Sequence, residues 1–151
     1  MRKKLTDNTD ELAVPNDQHS QESYSRYDDL KREIERAYNG DVTITDAERL
    51  AAKFLLAKME IAAELAVVDL DSRMKKNGLK AKRATVYMGA VASADKKPSD
   101  TLLENHCNLD PGVQLSMNEF EEADAKRESL KIYMDIFLNA HIYFRSLSRQ
   151  G

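Results

Sequence analysis

Tryptophan is absent, cysteine occurs once, and glycine and proline together supply only eight of the 151 residues. With so few chain breakers and 32% charged residues, the composition is that of a soluble helical protein. A lone Cys107 excludes an internal disulfide and fits a reducing compartment. The basic opening Arg2-Lys3-Lys4 has no apolar run behind it, so no secretory signal is expected. Elsewhere, charge interrupts the apolar stretches well before the roughly 20 residues that a membrane span needs. The chain is therefore expected in a cytoplasm, either a cell's own or that of a phage-infected host. Its length suits one domain with a real core and is too short for two.

What is present is unevenly distributed. Between Arg73 and Lys97 lie Arg73, Lys75, Lys76, Lys80, Lys82, Arg83, Lys96 and Lys97, against the single acid Asp95. This segment carries +7 in a chain that totals −3, which leaves −10 for the remainder. Segregation of this kind offers an anion a local site on a mildly acidic protein.

Residues 1–25 are rich in Asn, Asp, Gln, Ser and Glu, and their few apolar residues build no face. They read as a disordered acidic tail ahead of one helical domain over 26–151. Leu30, Ile34 and Ala37 predict a short amphipathic helix from Tyr27 to Tyr38, stopped by Asn39-Gly40. Thr45 and Glu48 fit a capping box that opens a long helix. Its charges fall on two narrow stripes, Lys53, Glu60, Glu64 and Asp71 on one and Lys58 and Asp69 on the other. Leu50, Phe54, Leu55, Leu56, Met59, Ile61, Leu65, Val67, Val68 and Leu70 make the rest apolar.

A helix apolar over so much of its girth needs cover on more than one side. Self-association into a homo-oligomer supplies it, and the alternative is a monomeric bundle with this helix at its centre. Asn77-Gly78 marks a kink or turn, and residues 89–115, holding Gly89, Pro98, Pro111 and Gly112, read as a long loop with one helical turn near Leu102-Leu103. Ser116 and Glu119 fit a second capping box, after which positions 120, 123, 127, 130, 134, 137, 141 and 144 form a coiled-coil-like seam. Arg127 and His141 are its two polar exceptions. A second apolar line runs through Tyr133, Ile136, Ala140, Tyr143 and Leu147. The expected architecture is mainly α, with two long helices and a short N-terminal one. Phe54, Ile61, Leu65, Val68, Leu130, Phe137 and Phe144 are the expected oligomer interface.

Catalytic chemistry finds little support. His19, His106 and His141 are not spaced as ligands on one helix, and His106-Cys107 needs metal partners from elsewhere. There is no phosphate-binding glycine loop and no nucleophile elbow. No enzyme, cofactor or metal is expected. If 73–83 stays helical, Arg73, Lys76, Lys80 and Arg83 form one ridge with Lys75 and Lys82 flanking it, and such a ridge can follow a phosphate backbone. Tyr87, one turn beyond Arg83, is either a base-stacking residue or a core tyrosine. A merely solvated helix end is the alternative reading of the basic run, since Lys and Arg are favourable near a helix C-terminus.

The order of these features adds to the reading. Asp29-Leu30-Lys31-Arg32-Glu33-Ile34 comes first, then a long helix ending in Gly78-Leu79-Lys80-Ala81-Lys82-Arg83 and Tyr87-Met88-Gly89. A variable loop and Ser129-Leu130-Lys131-Ile132-Tyr133, running to Ser148-Arg149, complete the series. The series resembles the UvsY-type recombination mediators of T-even-like bacteriophages, over about 28–89 and 129–149. The resemblance implies a non-enzymatic, ring-forming helical protein that binds single-stranded DNA. It also implies that the protein helps to load a strand-exchange recombinase onto strands covered by single-strand-binding protein. The family's basic DNA-binding stretch would fall on Lys80, Lys82 and Arg83, and extend to Arg73, Lys75 and Lys76. The chain departs from the family in Val86-Tyr87-Met88, where paired tyrosines tend to precede the glycine, and in its acidic tail and longer loop. A helical adaptor or inhibitor that binds protein through apolar helix faces, without nucleic acid, is the competing expectation.

Overall fold

The computed structural model describes residues 16–150, with side chains from Gln21 onwards. These residues form four helices and no strand: α1 (Asn16–Tyr38), α2 (Ile44–Ser93), α3 (Asp100–Leu109) and α4 (Pro111–Ser148). The chain divides into two compact units, 1–41 and 42–151, where the sequence suggested one domain over 26–151.

In the first unit, α1 begins earlier than expected. Residues 16–25, read from composition as tail, are helical, while 1–15 lie outside the described residues. Tyr27, Leu30 and Ile34, spaced three and four apart, are its buried line, and it ends at Tyr38 before Asn39-Gly40.

The second unit is an antiparallel helical hairpin. α2 starts two residues before the expected box, because Thr43 rather than Thr45 is the cap. The Thr43 hydroxyl accepts from the Asp46 backbone N–H at 3.1 Å and donates to the Asp46 carboxylate at 2.6 Å. From there α2 runs for 50 residues, about 75 Å at 1.5 Å per residue, straight through Asn77-Gly78. α2 is not interrupted at Asn77-Gly78, and the 89–115 segment is mostly helical rather than one long loop. Only 94–99 separates α2 from α3, and α3 and α4 meet at one residue, Asp110. Pro111 has no N–H and biases its predecessor towards extended backbone, so α3 stops. The extended Asp110 then caps α4, its carboxylate accepting from Val113 N–H at 2.9 Å with Pro111 in the first turn. The expected start at Ser116 is therefore interior to the helix.

α4 packs along α2, and α3 lies on the C-terminal end of α2. The buried residues of α4 include Ala123, Leu130, Phe137 and Phe144, seven apart along the expected seam, with Phe120, Arg127, Met134 and His141 half-buried between them. Phe54 sits between Phe137 and Phe144, with ring centroids 5.8 and 5.9 Å away. Each such fully buried side chain contributes roughly 1.5–3 kcal/mol of apolar burial. The polar exceptions on the seam are satisfied across the hairpin. His141 donates from Nδ1 to the Ala51 carbonyl at 2.8 Å. Arg127 pairs with Asp124 at 2.7 Å and with Asp69 at 3.5 Å, and the buried Ser72 hydroxyl donates to Asp124 at 3.4 Å.

Candidate nucleic-acid interface

Because α2 is unbroken, the ridge exists as a geometric line. At 100° per residue Arg73, Lys76, Lys80 and Arg83 fall within roughly 80° of one another, and Tyr87 continues the line. Lys75 and Lys82 stand about 130° round from its centre, on the far side of the face that packs against α4. They adjoin the ridge in sequence without sharing its surface.

The basic side chains differ in what they touch. Arg73 pairs with Asp69 at 2.7 Å and Lys75 with Asp71 at 3.0 Å, each one turn earlier on α2. Arg83 is half-buried and donates to the Asn108 side-chain oxygen at 2.9 Å, while its own carbonyl accepts the Cys107 thiol. The Lys82 stem crosses Gly112, where an added Cβ would lie 2.6 Å from Lys82 Cε. Lys76 and Lys80 are exposed and make no ion pair among the described residues. Lys97 approaches Asp100 at 3.9 Å in the connection before α3, and Lys96 is exposed beside it. Exposed pairs such as Lys75–Asp71 are worth at most about 1 kcal/mol, so an incoming phosphate can compete for such a cation.

Two tertiary features moderate the basic segment. The Ser72–Asp124 bond and the Lys82–Gly112 approach set 72–82 alongside 112–124 of α4. That stretch holds Glu119, Glu121, Glu122 and Asp124 and no base, so acid lies level with the six cations of 73–83. In addition, Tyr87 is half-buried and donates to Asp100 at 3.4 Å. It lines a shallow cavity of about 260 Å³ with Arg83, Ala84, Glu104 and Cys107. With its hydroxyl held by α3 and Glu104 nearby, Tyr87 is a packing residue of the α2–α3 junction rather than a free stacking platform.

Most of the residues expected at an oligomer interface lie elsewhere in the fold. Phe54, Ile61, Leu130, Phe137 and Phe144 are at most 1% exposed within the single chain and form the core between α2 and α4. Leu65 and Val68 are half-buried on the same side of α2. The reason is that α4 supplies a complementary apolar seam in cis, which sequence periodicity does not distinguish from one supplied in trans. What remains uncovered is the opposite side of α2, where Leu56, Met59, Val67, Leu70, Met74 and Met88 are all exposed. The signal was present in the spacing, but it was merged with the core line.

Among the described residues, no group of three or more His, Cys, Asp or Glu side chains is placed to hold a metal ion. His106 is exposed and its neighbour Cys107 buried, so the two do not share a surface. No helix in the described residues is long and apolar enough to cross a membrane. No protein-family model, no curated protein and no solved structure matches this chain.

Proposed function

We propose that the chain is a non-enzymatic binder of single-stranded nucleic acid that uses the Arg73–Arg83 ridge of α2. The observation that carries this reading is the pair Lys76 and Lys80. Both are exposed, both lack an internal carboxylate, and both lie in line with Arg73 and Arg83. A few phosphate contacts of this kind give modest, sequence-independent and salt-sensitive affinity. The acid of α4 lowers it further, so useful binding requires several ridges acting together in an assembly. Within this reading, the resemblance to UvsY-type mediators suggests the biological task, which is to load a recombinase onto DNA strands covered by single-strand-binding protein.

The test is fluorescence anisotropy with an unstructured oligonucleotide at low and high salt. Lys76→Glu with Lys80→Glu is expected to weaken binding at least tenfold at low salt while the circular dichroism stays unchanged. Equal binding by the double variant overturns the site. The uncovered apolar side of α2 favours one other reading, a helical adaptor for another protein. That reading predicts no oligonucleotide affinity at physiological salt.

A further inference from the structure

The outer side of α2 is a second seam. Starting at Ala52, the positions 52, 56, 59, 63, 66, 70, 74, 77, 81, 84 and 88 recur three or four apart, and every one is exposed. They fall within roughly 80° of one another and about 170° from the line packed on α4. Ten of the eleven are Ala, Leu or Met with side chains open to solvent, and only Asn77 is polar. This line is about 54 Å long.

We propose that this face pairs with the same face of a second copy, antiparallel, about a two-fold axis at Leu70. Three observations single out this occupant. First, the positions are symmetric about residue 70, so reversing the helix maps the seam onto itself. Second, that reversal matches bulk with space. Leu56 meets Ala84 and Met59 meets Ala81. Towards the axis Met74 meets Ala66, and at the ends Met88 meets Ala52. Third, the charges match only in the reversed direction. From Ile44 to Asp71 the helix holds six acids against three bases, whereas 73–83 holds six bases and no acid. Antiparallel pairing sets the acidic part of one copy against the basic part of the other, and parallel pairing sets like on like.

Edge contacts follow from the same register. Glu64 comes within one residue of the level of Lys75 of the second copy and Glu60 within two of its Lys82, all four on one edge of the helix. Gly78 lies on that edge too, and an added Cβ there would meet nothing within 4 Å in the single chain. These edge contacts use Lys75 and Lys82, whereas the ridge of Arg73, Lys76, Lys80 and Arg83 lies on the opposite flank, between the outer seam and α4.

The experiment combines light-scattering mass with directed cross-linking on the full chain. Wild type is expected at a multiple of the 17.1 kDa chain mass. Leu70→Glu, a change at an exposed site, is expected to halve that mass or more with unchanged circular dichroism. Under mild oxidation L70C is expected to cross-link to itself, and A52C to cross-link to M88C in a mixture but not to itself. A monomeric wild type overturns the proposal, as does an assembly that L70E leaves intact. Self-cross-linking of A52C without the A52C–M88C product overturns the antiparallel direction. Monomeric wild type that gains mass only with a different protein assigns the seam to the adaptor reading instead.

Discussion

At the scale of single residues, the polar side chains inside the hairpin set its register. Arg127 is the shared cation of Asp69 and Asp124, and its Nε is buried without a hydrogen-bond partner among the described residues. Arg127→Ala leaves two part-buried carboxylates without that cation and is expected to lower stability by about 1–3 kcal/mol, read from urea unfolding. Asp110 has a different task, since it ends α3 and caps α4. Asp110→Ala is expected to lower stability by about 1 kcal/mol in the same measurement, and Asp110→Asn to retain most of it. The sequence showed that Arg127 and His141 interrupt an apolar seam. It did not show what they meet, because those partners lie 58 and 90 positions away.

At the scale of elements, α2 is apolar on two opposite sides, and the two sides differ in consequence. Phe137, fully buried against Phe54, is part of the inner side's core. Phe137→Ala is expected to lower stability by about 3–5 kcal/mol, whereas Leu70→Ser on the outer side should change monomer stability far less. Gly89 belongs to a helix interior with nothing within 4 Å of an added Cβ. Gly89→Ala is therefore expected to raise stability by up to about 1 kcal/mol, seen as a higher thermal midpoint. The same glycine, with Pro98, Pro111 and Gly112, had suggested a loop. Composition pointed to breakers, but the packing of α3 on α2 and the double use of Asp110 kept most of that segment helical.

At the scale of the whole molecule, charge is arranged by the hairpin as much as by the sequence. The basic part of α2 and the acidic part of α4 are brought level, which weakens the field that the linear sequence suggests. Removing acid should therefore strengthen anion binding. Glu121→Gln with Glu122→Gln is expected to raise oligonucleotide affinity several-fold at low salt, measured by anisotropy, with the difference fading at high salt. If Lys76, Lys80 and Arg83 each engage one phosphate, the logarithm of the affinity should fall with the logarithm of salt at a slope of about −2 per copy. The double substitution of Lys76 and Lys80 should flatten that slope.

The sequence by itself determined the helical class, the end of α1 at Tyr38, the seam of α4 and the segregated basic run. Each of these depends on residue type and on spacings within one helix. Only the tertiary structure decided that the aromatic seam closes within the chain, that acid lies alongside the basic run, and that Tyr87 is held by α3. It also separated the two apolar sides of α2, which periodicity had combined into one. The physical reason is common to all of these. They depend on which residues distant in sequence come level when α2 and α4 align antiparallel, and local propensity carries no record of that register.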